Sequence, residues 1–317
     1  VHFPLLVAAA YSGFIVWHAG LSGSIPLKIA TPGNDSLGQL LHQQAIPVSE
    51  TIFSWPVILI VVLLFISLPA LLVFMQPDKN EVEEVHIFSS PESNTDNTIT
   101  SDREPAQKTL ITPAQKIEHS FLLTAILGSL GLFYLFIKFN HGEHLNLNNM
   151  NLLLLSLGLL LQGSPRNYLN AMDKAIRCVS GIVLQFPLYA GIMGMMVGSG
   201  LATSMSQWFV QISNADTFPV YTFLSAGIIN FFVPSGGGQW AVQAPIVIPA
   251  AQALGVPLNQ AAMAVAFGDA WTNLIQPFWA LPLLGIAGIS VQKIMGYCTV
   301  VLIWSGIVIA SGLVLFY

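Results

Sequence analysis

Three ionisable residues, His18, Lys28 and Asp269, lie inside or beside long apolar stretches of the sequence. An ionisable side chain at membrane depth is costly, so it usually faces an enclosed site where it handles an ion, a proton or a substrate. His18 and Asp269 could share a proton, which is what proton-coupled transport requires. The alternative for this pair is a structural hydrogen bond, and we expect Lys28 to reach the outer interface of a membrane.

The sequence around His18 is repeated around Asp269 without gaps. The decapeptide HAGLSGSIPL, which begins at His18, aligns with DAWTNLIQPF, which begins at Asp269, and the alignment pairs Pro26 with Pro277. A proline inside an apolar helix disrupts backbone hydrogen bonds, and the freed groups are tolerated at membrane depth only where they line an enclosed cavity. We therefore predict two broken helices. The alternative is a packing kink in each, with hydroxyls bonded back to the helix.

Small and polar residues accompany both predicted breaks, and their oxygen atoms suit a hard cation or a bound carboxylate. We predict that the substrate contacts Ser22, Gly23, Ser24, Thr272, Asn273 and Gln276. If Na⁺ is the coupling ion, Thr272 and Asn273 are its expected ligands. If a proton is the coupling ion, His18 and Asp269 carry it, and we favour this second reading because they are the ionisable pair at equivalent breaks.

A second motif splits an apolar run from Tyr221 to Leu254 at Pro234 to Trp240, which predicts a hairpin rather than one span. Three consecutive glycines at this point allow the backbone to approach a ligand closely. If the following helix begins near Gln239, its free N–H groups and positive dipole end favour a carboxylate. We therefore add the tip of the hairpin to the predicted substrate site, against the alternative of a flexible turn: Ser235, Gly236, Gly237, Gly238 and Gln239.

These residues must be positioned by membrane helices, because 54% of the chain is hydrophobic and only 8% is charged. A soluble domain carries about 25% charged residues. Apolar runs long enough for a transmembrane helix occur repeatedly and show no strand-like alternation, which predicts an all-α polytopic membrane protein. The predicted spans are Val1 to Trp17, Ile52 to Phe74, Phe121 to Lys138, Asn151 to Leu161, Gly181 to Gly198, Ala261 to Ile286 and Ile294 to Phe316.

The charged residues divide the chain into three parts. Just over half of them fall between Gln76 and Glu118, a stretch rich in Ser, Thr, Asn and Pro with hardly any apolar pattern. We read residues 76–118 as a polar cytoplasmic linker. Residues 1–75 form the C-terminal part of a first membrane repeat and residues 119–317 form the second. Because Val1 already lies in an apolar run, we expect the N-terminal part of the first repeat to be missing from this chain.

Lys and Arg residues predict the orientation, since short cytoplasmic loops carry them in excess. We place the linker and a loop from Arg166 to Arg177 inside, and Leu201 to Pro219, which lacks Lys and Arg, outside. The spans that begin at Val1 and Ala261 then run in opposite directions. Together with the repeated motif, this predicts an inverted repeat with its site near the membrane midplane, as in secondary transporters.

Signals for other functions are weak. Ser235 precedes glycines but has no GxSxG elbow, so an intramembrane hydrolase is retained only as the alternative from another class. His141 and His144 match no zinc-protease motif, and a Walker A motif is absent. We expect no enzyme activity and no cofactor. The expected partners are a short-chain carboxylate, H⁺ or Na⁺, the lipid bilayer and, as one option, a second copy of the chain, without nucleic acid.

Three motifs resemble the short-chain fatty acid transporter family: Trp17-His-Ala-Gly-Leu-Ser-Gly-Ser-Ile-Pro-Leu27, FFVPSGGGQWAVQAP from Phe231 and FGDAWTNLIQPFW from Phe267. The resemblance covers nearly the whole chain apart from the linker. It implies membership of the larger ion transporter superfamily, whose elevator-type carriers place hairpin tips and broken helices around the substrate. One departure is that the first re-entrant hairpin of such carriers, expected upstream of Val1, is absent here.

The resemblance implies ion-coupled uptake of small monocarboxylates, such as acetoacetate or butyrate, across the bacterial cytoplasmic (inner) membrane. The runner-up within transport is a dicarboxylate or amino-acid carrier driven by an ion gradient. The fold expected from the resemblance is an inverted-repeat, elevator-type transporter with broken helices and a re-entrant hairpin.

The orientation can be tested in the linker. We expect a cysteine introduced by Ser93→Cys, in a background without Cys178 and Cys298, to react with an impermeant thiol reagent only in inverted membrane vesicles, because the linker is assigned to the cytoplasm. Labelling is measured by a mass shift on gels. Reaction in intact right-side-out cells would reverse the whole orientation.

Overall fold

A computed structural model describes residues 2–31, 41, 44–78, 80, 82 and 112–317. Within these residues the structure is helical and contains no strand. The helices are α1 (Phe3–Ser12), α2 (Ser24–Ile29), α3 (Trp55–Phe74), α4 (Pro113–Glu118), α5 (Phe121–Asn140), α6 (Leu147–Gln162), α7 (Pro165–Gly198), α8 (Leu201–Gln211), α9 (Phe218–Asn230), α10 (Gly236–Leu254), α11 (Leu258–Thr272), α12 (Pro277–Ala287) and α13 (Gln292–Leu315). Two 3-10 segments, Gly13–Ala19 and Asn273–Ile275, adjoin α1 and α11.

Several helices are long and apolar enough to cross a membrane. Among the described residues these are Phe3–Ile29, Trp55–Phe74, Phe121–Asn140 and Gln292–Leu315. The bent pair α7 and α8 adds a further broken span or re-entrant segment, with an angle of 61° between its halves. The prediction of an all-α polytopic membrane protein is therefore confirmed.

The prediction of a loop from Arg166 to Arg177 was wrong, because this stretch belongs to α7 and is helical from Pro165 onward. The start has a local cause: the Oγ of Ser164 accepts a hydrogen bond from the backbone N–H of Asn167 at 3.2 Å. Proline at the first helical position lacks only an N–H group that would have had no helical partner.

The predicted outer loop from Leu201 to Pro219 was also wrong in part, since Leu201–Gln211 is helix α8. The N-cap residue of α8 is Gly200, which has a positive φ of 74° and produces the bend from α7. Within the predicted linker, only residues 76–78, 80, 82 and 112–118 are described. The site chosen for the labelling test, Ser93, lies outside the described residues.

Both predicted broken helices are present, but their prolines do not act as predicted. The first break is a turn from Gly20 to Gly23, and Pro26 lies in the first turn of α2 after it. The second break is at Gln276, and Pro277 opens α12. In the first turn of a helix a proline costs little, because those N–H groups have no helical acceptor. The prolines therefore start the second half-helix rather than interrupt the first.

Helix α11 occupies the centre of the structure. Every residue from Gln260 to Ala270 is buried, and the helix contacts α2, α9, α10, α13 and the first 3-10 segment. Its crossing with α9 is close at Gly268, where a Cβ atom would overlap the carbonyl oxygen of Phe223 and the side chain of Ala226. The backbones can approach this closely because small residues line the contact. This crossing places Asp269 beside the hairpin.

We expect Gly268→Ala to destabilise the protein by about 1–3 kcal/mol, because the added methyl meets a backbone carbonyl that cannot rotate away. Thermal unfolding in detergent micelles measures the effect as a lower Tm.

The matched control is Gly285→Ala, at a helical glycine where an added methyl group would have nothing within 4 Å among the described residues. The Gly285→Ala substitution should leave the free energy of unfolding unchanged or raise it by roughly 0.5–1 kcal/mol, because alanine is the better helix former. Equal Tm values for the two variants would contradict the assigned close crossing.

Candidate functional site

A buried ion pair joins the two broken helices. The Nε2 of His18, in the first 3-10 segment, lies 2.7 Å from the Oδ2 of Asp269, in the last turn of α11, and neither residue is exposed. The predicted approach of these repeat-equivalent residues is confirmed. The other polar atoms of the pair, His18 Nδ1 and Asp269 Oδ1, have no hydrogen-bond partner among the described residues. Buried polar atoms of this kind are uncommon in proteins, so the pair is a candidate for binding an ion or transferring a proton.

An aromatic cluster covers one side of the imidazole. The Trp17 ring lies tilted on His18 with 4.1 Å between ring centroids, and Phe14 stacks on Trp17 at 5.2 Å. Trp279, in α12, contacts both Phe14 and Trp17. The rings of the cluster pack in stacked and tilted arrangements beside the imidazole, which fixes its orientation towards Asp269. The cluster also keeps water from that side of the pair.

The hairpin tip covers another side of the pair. A Cβ atom on Gly236 would overlap the imidazole of His18 and the hydroxyl of Ser24, so only glycine permits this approach. The Oγ of Ser24 is buried and has no partner among the described residues. The tip thus brings the predicted residues Ser24 and Gly236 onto the predicted pair, and Gly23 is packed just as tightly against the His18 backbone.

The helix after the tip begins at Gly236, not near Gln239 as predicted. Ser235 is the N-cap residue, and its Oγ accepts a hydrogen bond from the N–H of Gly238 at 3.4 Å. This capping stabilises three glycines as a first helical turn, in spite of their low helix propensity. The first N–H groups of α10, at Gly236 and Gly237, lie at the positive end of the helix dipole and suit an anion.

Gln239 connects the two arms of the hairpin. Its Nε2 donates hydrogen bonds to the carbonyl oxygen of Ala226 at 2.8 Å and to Oε1 of Gln243 at 2.9 Å. Gln243 in turn donates to hydroxyls on α8 and α9, at Ser206 and Ser225. The side chain of Gln239 therefore holds the hairpin together, one turn behind the tip.

Asn230, the last residue of α9, organises the second break. Its Nδ2 lies 2.8 Å from the carbonyl oxygen of Asp269, 3.0 Å from Thr272 Oγ1 and 2.8 Å from Asn273 Oδ1. Gln276 Nε2 donates back to the carbonyl oxygen of Asn230 at 2.8 Å. Three predicted site residues thus contact Asn230: Thr272, Asn273 and Gln276. The backbone carbonyl of Asp269 links this group to the His18–Asp269 pair.

Tyr11 satisfies the backbone freed by the second break. Its hydroxyl lies 2.6 Å from the carbonyl oxygen of Asn273 and 3.1 Å from that of Gln276. Tyr11 was not predicted from the sequence, because a tyrosine in an apolar helix gives no signal until its polar partner is known. Ser22, a predicted site residue, is exposed in the turn of the first break and contacts neither the His18–Asp269 pair nor Asn230 among the contacts described above. Lys28 is partly buried on α2.

A small cavity adjoins the tip and has a volume of about 60 Å³. We call it the tip cavity, and its lining residues are Tyr189, Ala190, Met193, Val233, Pro234, Ser235 and Phe278. The rings of Tyr189 and Phe278 meet at 4.9 Å between centroids, so one wall joins α7 to α12. The α7 wall was not predicted from the sequence, because these apolar residues belong to neither repeat motif.

His141 and His144, in the loop after α5, form no metal site, and no group of metal-binding residues occurs in the described part of the chain. Glu143 instead accepts hydrogen bonds from Lys138 at 2.9 Å and Asn149 at 3.4 Å. These bonds, that from Lys138 foremost, lower the pKa of the Glu143 carboxyl. The loop is therefore held by a surface ion pair.

Comparison with known proteins gives a match over the whole chain. The family described as short chain fatty acid transporter matches residues 1–316. The chain is 44% identical over 320 residues to the "Putative short-chain fatty acid transporter" of Escherichia coli K12, covering 99% of this chain and 69% of that protein. It is 42% identical over 317 residues to the protein of the same name in Haemophilus influenzae, covering 98% and 69%.

A third similarity is shorter: 29% identity over 102 residues to the "Putative basic amino acid antiporter YfcC" of Escherichia coli, or 32% of this chain and 16% of that protein. No solved structure matches the chain. The match over residues 1–316 and the multi-pass helical fold lead to one conclusion. The chain belongs to the short-chain fatty acid transporter family and is a membrane transporter, not an enzyme.

Proposed function

We propose that this protein takes up short-chain monocarboxylates such as acetoacetate or butyrate across the bacterial cytoplasmic membrane, driven by a proton gradient. The observation that carries the proposal is the fully buried His18–Asp269 pair directly beneath the hairpin tip. A protonatable pair in contact with an anion site provides the two parts that proton-coupled uptake of an acid requires.

The tip supplies the carboxylate site. The N–H groups of the first turn of α10, the Ser24 hydroxyl and the imidazole of His18 converge around Gly236. Backbone amides at a helix N-terminus bind anions through direct hydrogen bonds and through the helix dipole. These donors form one group, which suits one carboxylate, and the neighbouring tip cavity has mainly apolar walls. The combination favours a monocarboxylate over a dicarboxylate such as succinate.

Charge balance couples the proton to the substrate. The pair carries one negative charge when Asp269 is ionised and His18 is neutral, and a bound carboxylate raises this to two in a buried site. Uncompensated buried charge is strongly unfavourable. Uptake of one proton by the pair returns the loaded site to the net charge of the empty one. The loaded and empty transporter then face the same electrostatic cost of crossing the membrane.

Na⁺ is the second candidate for the coupling ion. Asn230 Oδ1 and Gln276 Oε1 are buried carbonyl oxygens without hydrogen-bond partners among the described residues, and oxygens are the ligands of hard cations. The predicted Na⁺ ligands Thr272 and Asn273 flank them, but the side-chain oxygens of these two residues already lie within hydrogen-bond distance of the Asn230 amide nitrogen, at 3.0 and 2.8 Å. These existing bonds support the proton over Na⁺.

The substrate class is tested by uptake of labelled butyrate and acetoacetate into proteoliposomes that contain the complete protein. We expect both to accumulate when the outside is acidic, because the gradient drives protons inward with the carboxylate. Unlabelled succinate at equal concentration should leave this uptake unchanged, because the tip offers one group of anion donors and the adjoining cavity is mainly apolar. Equal inhibition by succinate would favour a dicarboxylate carrier.

The coupling ion is tested by Asp269→Asn, which removes the ionisable carboxyl but keeps a hydrogen-bonding group of the same shape. We expect stimulation of uptake by an inward proton gradient to fall to a ratio of about one, since one ionisable partner of the pair is lost. Thermal stabilisation by butyrate should remain, which separates binding from coupling.

Asp216→Asn, at an exposed loop position, is the matched control and should keep the full stimulation. The proton assignment fails if wild-type uptake needs external Na⁺ and ignores an imposed pH gradient.

A further inference from the structure

Met193 lies between two cavities that follow each other along one face of α7, which carries Tyr189, Met193 and Val197 at intervals of four residues. It lines the tip cavity, of about 60 Å³, and also a larger crevice of about 580 Å³ between α7, α8 and α10. We call the second space the outer crevice, and Val197, Gln207 and Ala241 are among its lining residues. Among the residues that line these two spaces, Met193 is the side chain common to both.

We infer that Met193 sets the upper limit on the alkyl chain length of the transported acid, by closing the tip cavity off from the outer crevice. This inference rests on the proposed function, because it assigns the tip cavity to the alkyl chain of a carboxylate held at the tip. It makes Met193 a specificity-determining residue on an element that neither repeat motif contains.

The position of the tip cavity supports the assignment to the alkyl chain. Ser235, the N-cap of α10, belongs to its lining, so a carboxylate on the first N–H groups of α10 projects its chain towards Tyr189 and Phe278. A space of 60 Å³ holds roughly four to six water-sized groups, at 10–15 Å³ each. That is enough for the three carbons that butyrate carries beyond its carboxylate, whereas the five of hexanoate fill the space to its limit and the seven of octanoate exceed it.

The other walls of the tip cavity are fixed more firmly than Met193. The Tyr189 and Phe278 rings brace each other at 4.9 Å, and Val233 and Pro234 belong to the buried tip loop. Methionine is unbranched and flexible, and its sulfur lies 3.3 Å from the point that a Cβ atom on Gly238 would occupy. Truncation to alanine removes Cγ, Sδ and Cε and joins the two cavities behind the tip.

The test is competition for labelled butyrate uptake in proteoliposomes by unlabelled acetate, butyrate, hexanoate and octanoate. Wild-type protein should be inhibited by butyrate and poorly by hexanoate. Each methylene that becomes buried contributes roughly fourfold in affinity, and hexanoate has two more than butyrate. We therefore expect Met193→Ala to increase the potency of hexanoate relative to butyrate by on the order of tenfold.

Two further variants make the result decisive. Met193→Val shortens the side chain less and should shift the hexanoate-to-butyrate ratio in the same direction by a smaller factor, which preserves the test if the alanine variant does not fold. Met195→Ala is the matched control, since Met195 is two residues away on the same helix and 68% exposed. It should keep the wild-type ratio.

An unchanged ratio in both Met193 variants, with butyrate uptake intact, overturns the inference and leaves the proposed function standing. The same shift in Met195→Ala as in Met193→Ala also overturns it. If the wild-type protein takes up no monocarboxylate at all, the proposed function fails, and the assignment of the tip cavity fails with it.

Discussion

The contact between His18 and Asp269 constrains everything around it. Taking two ionisable groups out of water is costly, and the cost is offset only when the geometry is close and the surroundings are fixed. The structure meets this requirement by bringing backbone rather than side chains to the pair. Gly23 lies against the His18 backbone, Gly236 against its ring, and Gly268 draws α11 onto α9. A methyl group at any of these three glycines would push the pair or its supports apart.

The two breaks solve the same problem of freed backbone groups in different ways. The first break closes on itself: the N–H of Gly20 bonds the carbonyl of Trp17, and the N–H of Gly23 bonds the carbonyl of Gly20, each at 3.0 Å. The second break takes donors from elsewhere: the Tyr11 hydroxyl from α1 lies against the carbonyl of Asn273, and Asn230 from the hairpin lies against the carbonyl of Asp269. The second break is therefore tied to the hairpin, whereas the first meets it only through packing at Gly236.

The sequence predicted the features that depend on local chemistry. Apolar runs located the spans, and the alignment of His18 with Asp269 predicted their meeting, because equivalent positions of an inverted repeat are expected to face a common axis. Helix starts were predicted less well. Three glycines favour a turn by propensity, and only the cap at Ser235 and the closeness of His18 explain why they are helical. Met193 was missed for the same reason, since its surroundings are set by tertiary packing. The stretch from Arg166 to Arg177 was read as a loop from its charges, although Ser164 caps a helix there.

One consequence of the Asn230 geometry concerns the number of hydrogens that a single amide can share. An amide group has two hydrogens, yet Asn230 Nδ2 faces three oxygen atoms within 3.0 Å. These oxygens belong to the backbone of Asp269 and to the side chains of Thr272 and Asn273, so three acceptors compete for two hydrogens. A change at Asn230 would therefore remove one shared donor from all three residues at once.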